Sequence, residues 1–476
     1  YILTRPEFFY KNVNDKTINI NIKYWTQASF AEYFDPAFKE LLEVSLVKET
    51  KGAVILAIAL PILKSASPKL YNDLGLDKVN LSEDSKHFGE VYEQLIPILK
   101  NTSLSDLNTS EGIKKIIYDN QQAISNVVSH FIDISIAPHL VKYVYDNVKN
   151  KVPNAYKSLV SDLQISDVDD DTLRADIKHI AVVLEQVKNI DALNVLLFKK
   201  DITLNDQTIE YVTKLIEELY DISFFADNYG ALIEDLIRDV LKVDITNIDF
   251  ASIDWNAEKE TDKAFLINIA AAALSYNYTS YKDLYEHFKD LPKMISNDIT
   301  DGIKMLKDGN YKEGLKLILS TITDELSDLD FDKFADAILA LSSSEFVANA
   351  GLTIYNKYVP SKLPTKYQKL GDLSSYSQEQ FVADLKSLGI SIKQLADSKV
   401  LMFLVDRTLV DEVTFTENLG NAIKGIANLS ILDMKKQELV NLTSVSLDLT
   451  SVDLSADREI LSNMSGDIYH ILLAIK

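Results

Sequence analysis

Cysteine is missing from this chain altogether. That absence removes disulfides, thiolate nucleophiles and thiolate-ligated zinc or iron–sulfur centres. Basic charge is scarce as well: 71 acidic residues stand against 49 basic ones, a formal net charge of −22. Such a balance repels phosphate backbones and anionic lipid, so nucleic acid is not an expected partner. Long hydrophobic runs are also lacking. The longest stretch without charge, in "GAVILAIALPILKSA", covers twelve residues from Gly52 to Leu63 and contains Pro61. It is too short to span a bilayer, and it reads as a buried helix.

Catalytic signatures are absent too. The chain has no G-x-S-x-G elbow, no G-x-x-x-x-G-K-[ST] phosphate loop, no H-E-x-x-H and no G-x-G-x-x-G. Its six histidines are scattered along the sequence, and the adjacent pair Glu217 and Glu218 cannot share a helix face. No catalytic, cofactor-binding or metal-ligating residue is therefore assigned, no cofactor is expected, and the chain is not read as an enzyme.

What is present is the making of a folded protein. Hydrophobic residues form 47% of the chain and charged ones 25%. At 476 residues the chain exceeds one ordinary core, which implies roughly three domains or an elongated array. From about residue 28 onward apolar residues recur at spacings of three and four, as in Phe88, Val91, Leu95 and Leu99, or Ile180, Val183, Leu184 and Val187. This is a helical signal. Before it, "KTININIKYW" alternates Ile18, Ile20, Ile22 and Tyr24 with polar residues, which predicts a small β-hairpin over residues 1–27 or the end of an upstream domain.

One phrase is written twice. "DSKHFGEVYEQL" at 84–95 returns as "DIKHIAVVLEQV" at 176–187. Its anchor Asp84 has expected counterparts at Asp176, Asp262, Ser377 and Asp457, at intervals of 92, 86, 115 and 80, each read as a helix N-cap. "SQEQ" at Ser377–Gln380 has the form of a capping box. The imidazoles of His87 and His179 occupy equal places in the first two copies, but Phe265 and Gln380 stand there in the next two. A duplicated metal site is thus set aside in favour of a duplicated helix start. A second phrase pairs Ser45 with Gly52, Ser223 with Gly230 and Ser344 with Gly351, with looser versions in "SHFIDISI" from Ser129 and "SKVLMFLV" from Ser398.

The expected fold is accordingly mostly α: an elongated, solenoid-like α-helical repeat array of about five degenerate units, each of roughly 80–115 residues, with the small N-terminal β-hairpin. The expected divisions are 1–27, then units at 28–83, 84–175, 176–261, 262–376 with an insertion, and 377–456, then the start of a further, truncated unit at 457–476. Asp-rich connectors such as "DVDDD" at Asp167–Asp171 and "DELSDLDFDKFAD" at Asp324–Asp336 fail the EF-hand pattern, because loop positions six and twelve are Thr172 and Lys178 or Lys333 and Leu339. A looser calcium site at these connectors stays as a secondary expectation. The 23 Tyr and 19 Phe against 2 Trp favour packing between units or a protein-binding surface.

Three functions fit this inventory. The first is a non-enzymatic structural or adhesive segment of a larger bacterial cell-surface or secreted protein, acting through a protein partner or self-association. A chain that starts at Tyr1 and stops within a helical pattern accords with that expectation. The second is an intracellular, cytoplasmic adaptor binding a peptide or protein. The third is a helical enzyme or apolar-ligand carrier with a pocket between units.

Overall fold

The computed structural model describes residues 36–37, 39–103, 106, 109–149, 163, 165–240, 242–244, 246, 248–326, 328–363, 365–405, 410–442, 448–453 and 457–475. The hairpin expected over residues 1–27 lies outside them. The described chain is mostly α, and among these residues there is no strand, only an isolated bridge between Thr203 and Ser280.

The main helices are α1 (Ala53–Ala66), α2 (Leu81–Asn101), α3 (Ser110–Asp119), α4 (Gln121–Phe131), α5 (Ala137–Val148), α6 (Asp170–Asn189), α7 (Thr208–Asp221), α8 (Tyr229–Asp235) and α9 (Trp255–Leu274). They continue as α10 (Tyr281–Lys307), α11 (Tyr311–Leu326), α12 (Phe331–Ser343), α13 (Leu352–Lys362), α14 (Gln378–Asp397), α15 (Glu412–Ala427), α16 (Ser430–Leu442) and α17 (Arg458–Ile475). The chain divides into two compact units. The first runs to Ile202 and includes Glu217–Asn228; the second comprises Thr203–Ile216 and everything from Tyr229 onward.

In the first unit α4 packs between α2 and α6. Ile132, Ile165, Leu173 and Ile177 form one core there, and Val91, Ile134 and Ile136 form another. In the second unit α12 packs on both α9 and α14, α15 packs on both α14 and α17, and α10 pairs with α11. Phe403, Phe415, Leu419, Tyr469 and Leu472 make a core there. Small residues let these helices approach. A Cβ added at Gly389 of α14 would lie 2.8 Å from Leu339 Cγ of α12, and one at Gly420 of α15 would lie 3.0 Å from Ser462 Oγ of α17.

Helix starts follow the capping chemistry of the sequence. Asn80, Asp169 and Asp254 accept hydrogen bonds from first-turn amides of α2, α6 and α9. At α14 the capping box is complete: Gln380 N–H donates to Ser377 Oγ at 3.1 Å, and Ser377 N–H donates to Gln380 Oε1 at 3.0 Å.

Two expectations are corrected here. Asp84, Asp176 and Asp262 are not N-caps but lie inside α2, α6 and α9, so the divisions drawn at 84, 176 and 262 fall within continuous helices. The α1 segment is helical, as its composition predicts, but it is not buried: Ile58 and Ile62 are 59% and 60% exposed, and no α1 residue is fully covered. Hydropathy selects an apolar helix; only neighbours can bury it. No single described helix is long and apolar enough to cross a membrane.

Candidate functional site

Four acids of long helices recur in one arrangement, three of them buried. In α2, the buried Asp84 accepts two hydrogen bonds on Oδ1 from Ser135, one from its amide at 2.9 Å and one from its hydroxyl at 2.7 Å. In α6, the buried Asp176 receives the Ser223 amide at 2.6 Å and its hydroxyl at 2.7 Å. In α9, the buried Glu258 receives the Ser344 hydroxyl and, at 2.8 Å, the amide of Glu345. In α14, the half-buried Asp384 receives the amides of Ser430 and Ile431, both at 2.9 Å.

Four acids near the start of four long helices thus clamp four serines. Each serine lies just after a later helix of the same unit or starts one. The chain separation between acid and serine is 51, 47, 86 and 46 residues in turn. Measured from the N-cap, the acid stands at +4 (84 − 80), +7 (176 − 169), +4 (258 − 254) and +7 (384 − 377). Positions four and seven lie on one helix face, so all four carboxylates leave their helices in the same direction. Hydrogen bonds to a charged acceptor contribute about 1.5–3 kcal/mol each, and a carboxylate beside free helix N–H groups is further favoured by the dipole.

Neighbouring groups reinforce the clamps. Arg174, two residues before Asp176, donates to the carbonyls of Ile132, Ile134 and Ser135, so the Ser135 turn is held by α2 on its amide side and by α6 on its carbonyl side. Tyr376 O–H donates to Asp384; burial, and then this bond, hold the phenol well above its ordinary range. Glu345 returns the favour at the third clamp by accepting the Asp254 amide at 2.7 Å. Next to that clamp lies Asp262, one turn after Glu258, which accepts the Tyr229 hydroxyl at 2.5 Å. Burial raises its carboxyl to about 6.

The repeated histidines find carboxylates. His87 Nδ1 lies 3.3 Å from Glu90 Oε2 and 3.8 Å from Asp133 Oδ2, and His130 Nδ1 is 3.5 Å from the same Glu90 oxygen. His179 Nδ1 is 2.7 Å from Glu218 Oε2. Among the described residues no group of three or more His, Asp or Glu side chains is placed to hold a metal ion. The Asp-rich connectors are occupied with helix starts: Asp169 accepts the amides of Asp171 and Thr172, and Asp330 accepts the amide of Lys333.

The first unit also carries open clefts, two of which are of similar size. One, of about 480 Å³, is almost wholly apolar, with Phe131, Leu140, Val141, Val144, Tyr145 and Val148 around it. The other, of about 420 Å³, mixes Glu111, Lys115, Asp119 and Lys200 with Tyr118 and Phe198.

Sequence reasoning found Ser223 and Ser344 but missed their partners. In "SHFIDISI" it fixed on Ser129, whereas the clamped residue is Ser135. It placed the third acid at Asp262 rather than Glu258, and it passed over Asp384 because the Ser377 cap stands seven residues earlier. One available signal was the aliphatic residue before the serine, buried in Ile134–Ser135, Ile222–Ser223 and Leu429–Ser430. No protein-family model matches the chain, and neither does any curated protein or solved structure.

Proposed function

We propose that this chain is a non-enzymatic helical-repeat segment that works through contacts with a protein partner or with copies of itself. The recurring unit would be an acid-bearing long helix, a following helix, a clamped serine and a short helix. The observation that carries the reading is the fourfold clamp: four carboxylates near helix starts are committed to holding later segments of the chain, which is scaffold chemistry. The abundant exposed acids suit a secreted or cell-surface structural protein of bacterial type, and they suit a cytoplasmic adaptor for a basic peptide equally well.

The apolar cleft between α4 and α5 supports a second reading, a carrier of an apolar ligand. Sedimentation velocity across a wide concentration range and native mass spectrometry of the purified chain separate the two. Concentration-dependent assembly, or saturable binding of a protein, supports the scaffold. A stoichiometric small molecule retained in the native spectrum, with no assembly and no protein partner, sinks it in favour of the carrier.

A further inference from the structure

Five long helices of the second unit pack in a row, each on the next: α9, α12, α14, α15 and α17. The row ends in water. Towards α15, α17 turns Tyr469 and Leu472 into the core with Phe403, Phe415 and Leu419, and the Ser462 hydroxyl donates to the Gly420 carbonyl at 2.9 Å. Its outer side carries Ile460, Met464 and Ile471, which are 64%, 46% and 54% exposed. With the exposed Asp467 between them, these residues follow one another at intervals of four, three and four. All four therefore project from one face of the helix, along about three turns or roughly 16 Å. That spacing is the seam by which one helix packs on another.

Charge selects the occupant of this seam. Within the row, a lysine of one helix pairs with acids of its neighbour. Lys393 of α14 lies 3.1 Å from Asp336 and 3.7 Å from Asp332 of α12, and Lys424 of α15 lies 2.5 Å from Glu459 of α17. Asp467 has no ion-pair partner among the described residues. An acid covered by an incoming apolar surface needs a cation opposite it. A second copy brings only the same acid to the same seam, and the net charge of −22 on each copy keeps the two apart. An anionic bilayer is repelled in the same way. We infer, on the protein-contact reading above, that the open face of α17 docks an amphipathic helix of a partner protein, apolar along one stripe and bearing lysine or arginine placed to meet Asp467. The partner helix extends the row by one place.

Binding of a designed peptide to the purified chain, read by fluorescence anisotropy, tests this. The peptide is a helix of leucine, alanine and lysine, its leucines three and four residues apart and its lysines beside them. Saturable binding is expected. Met464→Asp, in the middle of the seam, should weaken it at least about tenfold, the effect of a central interface residue. Asp467→Lys should weaken the lysine peptide and admit its glutamate counterpart. Leu196→Asp, at an exposed apolar residue of the first unit, should leave binding unchanged.

Circular dichroism establishes that each variant is folded. Should Met464→Asp fail to fold, the charge exchange at Asp467 still decides the matter. No saturable binding, equal binding of a peptide with the same residues in scattered order, or binding indifferent to both substitutions in α17 overturns the proposal. So does self-assembly of the chain that Met464→Asp abolishes, because the occupant is then a second copy. Assembly or protein binding that neither substitution touches removes the α17 surface alone and leaves the scaffold reading standing. A retained small molecule, with neither assembly nor protein binding, ends both.

Discussion

The Ser223 amide and hydroxyl both end on the carboxylate of Asp176, 47 residues earlier in the chain, at 2.6 and 2.7 Å. The acid satisfies two donors at once and stands with its charge at the start of the short helix Ser223–Ala226. Leu173, on the same stretch of α6, is fully buried beside it in the core with Ile132 and Ile177. Packing and the polar clamp therefore fix the same junction.

Removing the acceptor strands a partly buried N–H, whereas removing the hydroxyl leaves the amide bond intact. Asp176→Ala is expected to cost about 2–4 kcal/mol and Ser223→Ala about 1–2 kcal/mol, with Asp176→Asn between them. Native-state hydrogen exchange at the Ser223 amide checks this directly. Protection that persists in Asp176→Ala would show the clamp to be dispensable.

Glycine substitutions should split by sign. Gly389 meets the α12 side chain Leu339, so Gly389→Ala is expected to destabilise the second unit by about 1–3 kcal/mol through overpacking. At Gly466 in α17 an added Cβ meets nothing within 4 Å. Gly466→Ala there should stabilise by about 0.5–1 kcal/mol, the ordinary gain of alanine over glycine in a helix. Urea denaturation of the two variants reads the difference.

Exposed apolar residues should be replaceable. Ile58→Gln and Ile62→Gln in α1 are expected to shift stability by no more than about 0.5 kcal/mol, whereas Leu173→Ala in the first unit's core should cost about 2–5 kcal/mol. Thermal unfolding followed by circular dichroism tests the contrast. A large loss at Ile58 would mean that this face is covered in solution.

The Tyr376 phenol gives a fourth test. Because burial and the bond to Asp384 hold its proton, ionisation is expected only well above the ordinary tyrosine range, and Asp384→Asn should bring it down. Stability that depends on the neutral phenol is fully present below the unfolded tyrosine value and is lost only as the pH rises towards the folded one. Ultraviolet difference titration follows the phenolate.

Helicity was legible because apolar spacing and capping residues act over a few positions, and the Ser377 box was readable to the residue. The clamps were not. A carboxylate near a helix start looks like a cap in sequence, and only the tertiary partner distinguishes Asp84, which reaches across to Ser135, from Asn80, which caps its own helix. The third clamping acid was misplaced by one turn because it is a glutamate and Asp262 fits the spacing better. The α1 helix was misjudged for a related reason: its composition is that of a core segment, but burial is a property of neighbours.

The hairpin of α10 and α11 lies between the two halves of the third clamp, so Glu258 and Ser344 close a loop of 86 residues where Asp384 and Ser430 close one of 46. Closure entropy grows only logarithmically with loop length, by about 0.6 kcal/mol per doubling. The span between acid and serine is thus a port that accepts extra sequence at little cost, and foreign modules grafted there would be displayed without disturbing the helices on either side.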